Sequence, residues 1–214
     1  VIARTGEGPA LVDVVARLAE AIDQPEHKIA HWLEVARLAA SDHGRARSAF
    51  DAAAKLAESL PAWVSRPLAE RIARERMRVA DEHGTPADVD AALEALAPVL
   101  SAALEPAPHL AIVQRRELVA LRRRQAQRAA ATEPARAWDF LQQALALASD
   151  EPVILVDLVE LAGALGRHEE MPQLVNAWHA AESDVGIDAM ISWWCAEARA
   201  GGDRRDRSRA LLGA

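Results

Sequence analysis

Apolar residues recur along the chain three and four positions apart, the spacing that lines one face of a helix, and strict alternation is scarce. This pattern, cut at its punctuation, predicts helices at about 9–22, 26–42, 45–59, 62–82, 86–104, 108–131, 134–149, 152–165, 168–182, 186–200 and 203–212. Starts are marked by a capping residue and a proline: Asp23-Gln24-Pro25, Thr85-Pro86, Thr132-Glu133-Pro134 and Asp150-Glu151-Pro152. Asp or Thr accepts an orphan amide hydrogen bond, and proline in the first turn lacks an amide that would go unpaired. Ends are read at His43-Gly44, with echoes around His83-Gly84, Leu165-Gly166 and Gly201-Gly202. Imidazolium suits the negative helix end, and Gly tolerates a left-handed cap. Pro98 should kink or split the helix around it. The β-branched run Pro152 to Leu161 is read as a buried helix from its neighbours.

The helices come in pairs. First helices begin near 26, 62, 108, 152 and 186, each followed after a short turn by a second, at spacings of about 34–46 residues. Repeated hairpins of this kind make a solenoid. A register supports the pairing. Ala137, Leu141 and Ala144 correspond to Met171, Val175 and Trp178, each displaced by 34, and Leu121 corresponds to Leu155 and then Ala189. Ala46, Phe50 and Ala53 repeat the internal spacing.

Leu155, Leu158, Gly166, Met171, Val175 and Trp178, with Leu33, Ala46, Phe50 and Ala53, resemble the tetratricopeptide repeat family, whose motif is a 34-residue helix–turn–helix. The similarity is best over 152–185, looser over 118–151 and 27–60, and partial over 186–214; residues 61–117 fit as longer, irregular hairpins. The Gly-Tyr pair of the motif's first helix and its closing proline are mostly missing. The resemblance implies an all-α fold, a right-handed superhelical stack of antiparallel helix pairs forming a single repeat domain over 1–214. It also implies a concave face built from first helices. The groove candidates are Lys28, His31, Arg122, Arg123, Val156, Glu160, Met190 and Trp194. The Lys and Asn set of the family's carboxylate clamp is absent, which disfavours a chaperone tail as ligand.

Composition narrows function by exclusion. Hydrophobic residues make up 51%, aromatics 4%, and Tyr is absent, so alanine carries much of the apolar content, as helices that approach closely require. A net charge of −7 disfavours a general nucleic-acid binder. The single cysteine, Cys195, leaves no intrachain disulfide and fits a cytoplasmic chain. No apolar run approaches a membrane span, and the start, Val1 to Gly8, has neither an initiator Met nor a signal pattern, as expected of a piece of a longer protein.

Three clusters are weighed for chemistry. His27 and His31 share a helix face as zinc pairs do, but Lys28 stands where a metalloprotease places its Glu, and no third ligand is evident. The arginine run from Arg115 to Arg128 suits phosphate or an acidic peptide, or else forms a wet helix face paired with acidic neighbours. Trp193, Trp194 and Cys195 form an interface anchor or pack on the last helix. No nucleotide-binding, hydrolase or calcium-loop pattern occurs. The expectation is therefore a non-catalytic scaffold that binds a peptide or partner domain, with no cofactor. The alternative is a helical regulatory or sensor segment of a larger bacterial transcription regulator or signalling protein; an all-α enzyme comes third.

Overall fold

A computed structural model describes residues 8–104, 111–149, 151–167, 169–181 and 191. Among these the chain is all-helical: α1 (Gly8–Ala21), α2 (Pro25–Leu38), α3 (His43–Glu58), α4 (Ala62–His83), α5 (Pro86–Leu104), α6 (Ile112–Ala129), α7 (Pro134–Leu147), α8 (Pro152–Leu165) and α9 (Met171–Ala180). It divides into two compact units, Val1–Ala111 and Ile112–Ala214.

In the first unit α2 packs on α3 and α4 on α5, the expected pairs, while α1 leans on α2 and α3 on α4. Ile29 and Leu33 of α2, Ala49, Phe50 and Ala53 of α3 and Ile72 and Val79 of α4 meet in one core. Alternate helices are bridged by charge. Asp13 of α1 pairs with Arg45 of α3, and Arg37 of α2 holds Glu75 of α4 in a two-pronged contact at 2.7 and 3.2 Å. That contact, with help from Arg78, lowers the Glu75 pKa. α1 buries Val12 and Ala19 and leaves Leu11, Val14 and Leu18 on its outer side.

In the second unit the dominant pair is α6 with α7, followed by α7 with α8 and α8 with α9. α8 is apolar nearly all round and buries seven residues, among them Ile154, Leu155, Val156, Leu158 and Val159. Burial overrides the β-branched preference for strand, as a helix hydrophobic on every side requires. Residues of the two 34-residue registers are buried: Leu121 and Leu155, and Ala137, Leu141 and Ala144 with Met171, Val175 and Trp178, while Ala189 lies outside the described residues.

Several local expectations are corrected. His43-Gly44 does not end a helix. α2 stops at Leu38, and His43 and Gly44 form the first turn of α3, because the Asp42 carboxylate accepts the Arg45 N–H at 3.1 Å and caps that start. Prolines do open α2, α5, α7 and α8; the Thr85 hydroxyl accepts the Asp88 N–H at 3.3 Å as expected, whereas the cap positions of α2, α7 and α8 fall on Gln24, Glu133 and Glu151 and not on an Asp or Thr, and none of the three makes a side-chain cap. Pro98 does not split α5. Its cost of about 3 kcal/mol is offset by six buried residues, including Leu93, Leu96 and Leu100, each contributing about 1.5–3 kcal/mol for a leucine.

The two glycines that do follow a helix act differently. Gly166 adopts φ 69°, and the Arg167 N–H reaches the Ala162 carbonyl at 2.9 Å while the Gly166 N–H reaches Gly163 at 3.3 Å, the Schellman closure. Gly84, at φ −78° and ψ 162°, needs no left-handed freedom. A Cβ there would lie 2.5 Å from the Ala80 carbonyl oxygen, so the close approach of backbone demands glycine. Gly166→Ala should cost about 1 kcal/mol for the left-handed conformation. Gly84→Ala should cost about 1–3 kcal/mol by overpacking. Urea unfolding of both variants checks the order, and equal losses would mean that the space at Gly84 relaxes.

At the same corner Asp88 ties three segments together. Its carboxylate accepts from the Thr85 N–H at 3.0 Å and hydroxyl at 2.6 Å, closing the start of α5, and from Arg47 of α3 at 2.6 Å. The Thr85 hydroxyl bond, then Arg47, hold the Asp88 carboxyl well below the usual carboxylate range. Because the folded pKa is depressed, the stabilisation is complete above the unfolded value of about 3.9 and is lost as pH falls below it. Asp88→Ala should therefore lower stability by about 1–2 kcal/mol at neutral pH and by much less near pH 2. A constant difference across that range in denaturant titrations would contradict the assignment.

Candidate functional site

Among the described residues of the second unit, a cleft of ≈ 270 Å³ is framed by three helices. α7 supplies its floor with Ala137 and Leu141, α6 and the turn after it one wall with Ala126, Gln127 and Ala130, and α8 the other with Asp157, Glu160, Leu161 and Ala164. α7 starts at Pro134, five positions after the end of α6, and α8 at Pro152, five after the end of α7. Small side chains leave the space, since four alanines line it.

The walls follow the sequence register. Ala126, Gln127 and Ala130 correspond, 34 positions on, to Glu160, Leu161 and Ala164. At the same end Arg123 pairs with Asp157, again 34 positions apart: Nε donates to Oδ2 and Nη2 to Oδ1, the latter at 3.3 Å. This contact raises the Arg123 pKa. Equivalent positions of α6 and α8 thus face each other across the cleft.

The groove candidates separate accordingly. Glu160 lines the cleft, and Arg123 stands beside it through Asp157. Arg122 turns toward α7, with its guanidinium 5.7 Å from the Phe140 ring centre and a 2.9 Å bond to buried Gln125; desolvation lowers its pKa. Val156, equivalent to Arg122, is buried in the core. The 122/156 position is therefore rotated off the cleft by one residue, about 100° on a helix. Lys28 and His31 belong to α2 in the first unit, where Lys28 Nζ reaches the Glu20 carbonyl at the end of α1 (3.1 Å) and His31 Nδ1 lies 2.9 Å from the His27 carbonyl. Met190 and Trp194, like Trp193 and Cys195, lie outside the described residues. Sequence reasoning missed Gln127 and Asp157. Shifting Arg123 by 34 would have found Asp157, but Gln127 carries no such signal.

The arginine run of α6 is largely accounted for by neighbours: Arg122 and Arg123 as above, while Arg115, Arg124 and Arg128 also hold interactions. Arg136 adds a second guanidinium over Phe140, at 5.4 Å. Among the described residues no three His, Cys, Asp or Glu side chains converge as a metal site would need, and no helix is long and apolar enough to cross a membrane. Compared with known proteins, the chain matches no family model, no curated protein and no solved structure.

Proposed function

We propose that the chain is a non-catalytic protein-interaction module of tetratricopeptide-like helix pairs, and that the α6–α7–α8 cleft is a place where it holds a peptide segment of a partner. The observation that carries this is the register of the cleft: successive first helices present equivalent positions, small at 126, 130 and 164, to one shared hollow. Repeat architectures bind through such rows of first helices. The apolar floor offers burial, and Glu160 and Gln127 offer orienting polar contacts, the division of labour found in ligand clefts.

Selecting binders from a random peptide library and mapping them by backbone amide shifts tests the reading. Shifts should concentrate at Gln127, Ala130, Glu160 and Ala164, and Ala164→Trp, which fills the cleft from an exposed position, should abolish binding. Binders that map elsewhere and ignore Ala164→Trp would refute it.

A further inference from the structure

The charge inventory of the cleft distinguishes among peptides. Of its two carboxylates, Asp157 is occupied by Arg123 through two hydrogen bonds. Glu160 is exposed and has no partner among the described residues. Gln127 on the facing wall is likewise exposed and without a partner among the described residues. Among the described residues no cationic side chain lines the space: Arg122 is drawn to Phe140, and Arg124 and Arg128 are engaged. The rest of the lining is Ala and Leu. A ligand entering this hollow partly desolvates the Glu160 carboxylate, which is favourable only when the ligand brings a cation to it.

We infer, resting on the groove reading above, that the cleft selects a cationic amphipathic segment of a partner protein. Its Arg or Lys pairs with Glu160, its adjacent aliphatic side chain lies over Ala130, Leu141 and Ala164, and its backbone meets the Gln127 amide. Acidic peptides, which the arginine-rich sequence of α6 would suggest, are disfavoured because those arginines are already held and the open charge is negative. Like-charge juxtaposition gives discrimination as well as affinity.

The test uses two matched pools of short fluorescent peptides with the same leucine and alanine positions, one with Arg at the polar sites and one with Glu. Binding is measured by anisotropy to the full chain and to Glu160→Gln, Glu160→Lys, Ala164→Trp and Glu58→Lys, all at exposed positions. The Arg pool should bind and the Glu pool should not. Glu160→Gln should weaken the Arg pool about threefold to tenfold, and Glu160→Lys more, and Ala164→Trp should remove it. Glu58→Lys, which makes the same charge change on α3, should have little effect and so separates the cleft from general attraction to an acidic chain. Failure of the Arg pool to bind, equal losses in Glu58→Lys and Glu160→Lys, or preference for the Glu pool overturns the inference. If the preference fails while Ala164→Trp still blocks library-selected binders, the groove reading stands alone. If Ala164→Trp blocks neither, both fall.

Discussion

Trp178→Ala is expected to destabilise the chain by about 3–5 kcal/mol, among the largest losses a single truncation produces. Trp178 retains 4% of its exposure and sits in the core with Ala162, Met171 and Val175. Its register equivalents are Ala53 and Ala144, both fully buried. α9 therefore buries an indole where α3 and α7 bury a methyl group. The converse substitution, Ala144→Trp, should also destabilise, by about 1–3 kcal/mol or more, because no void awaits the ring. Thermal and urea unfolding separate the outcomes. An unchanged midpoint for Trp178→Ala would mean that the register misplaces this residue.

The second large loss is expected at Phe50. It is 3% exposed, at the centre of the first unit's core between α2 and α4, and is one of only two phenylalanines in the chain. Alanine-rich helices surround it, with Ala46, Ala49, Ala53 and Ala57 buried on the same helix. Such small, stiff neighbours cannot collapse into the space of a missing ring. Phe50→Ala should cost about 3–5 kcal/mol, against about 1–2 for Phe50→Leu, which keeps most of the volume. Losses of equal size would show that edge contacts of the ring, and not its volume, hold the core.

The helices were legible because their signal is a period, and a period survives local error. α1, α4, α5, α7 and α8 start and stop within two residues of the boundaries read from the sequence. What failed was polarity at a boundary. Asp42-His43-Gly44 contains an end signal and a start signal in consecutive residues, and only the hydrogen bond from the Arg45 amide decides between them. Gly84 was found for the wrong reason: the sequence announces glycine, while the need, room beside Ala80, is three-dimensional. The cleft was half legible. Glu160 lies on the right face, but Val156 does not, since a groove stripe is narrower than the error of one residue in phase. The arginine run misled for a related reason: composition counts charges and cannot show that Asp157 has already answered Arg123.

The Arg123–Asp157 contact has a bearing on how such a chain is put together. The two residues occupy the same position of successive 34-residue segments, so they are not interchangeable copies but opposite halves of a key. A chain made by repeating the 118–151 segment would set arginine against arginine at that point, and one made from 152–185 would set aspartate against aspartate. Either would replace an attraction with a repulsion. The pair thus sets two segments apart that share a 34-residue spacing of buried positions: the arginine belongs to the earlier one and the aspartate to the later, and exchanging either for a copy of the other would lose the contact.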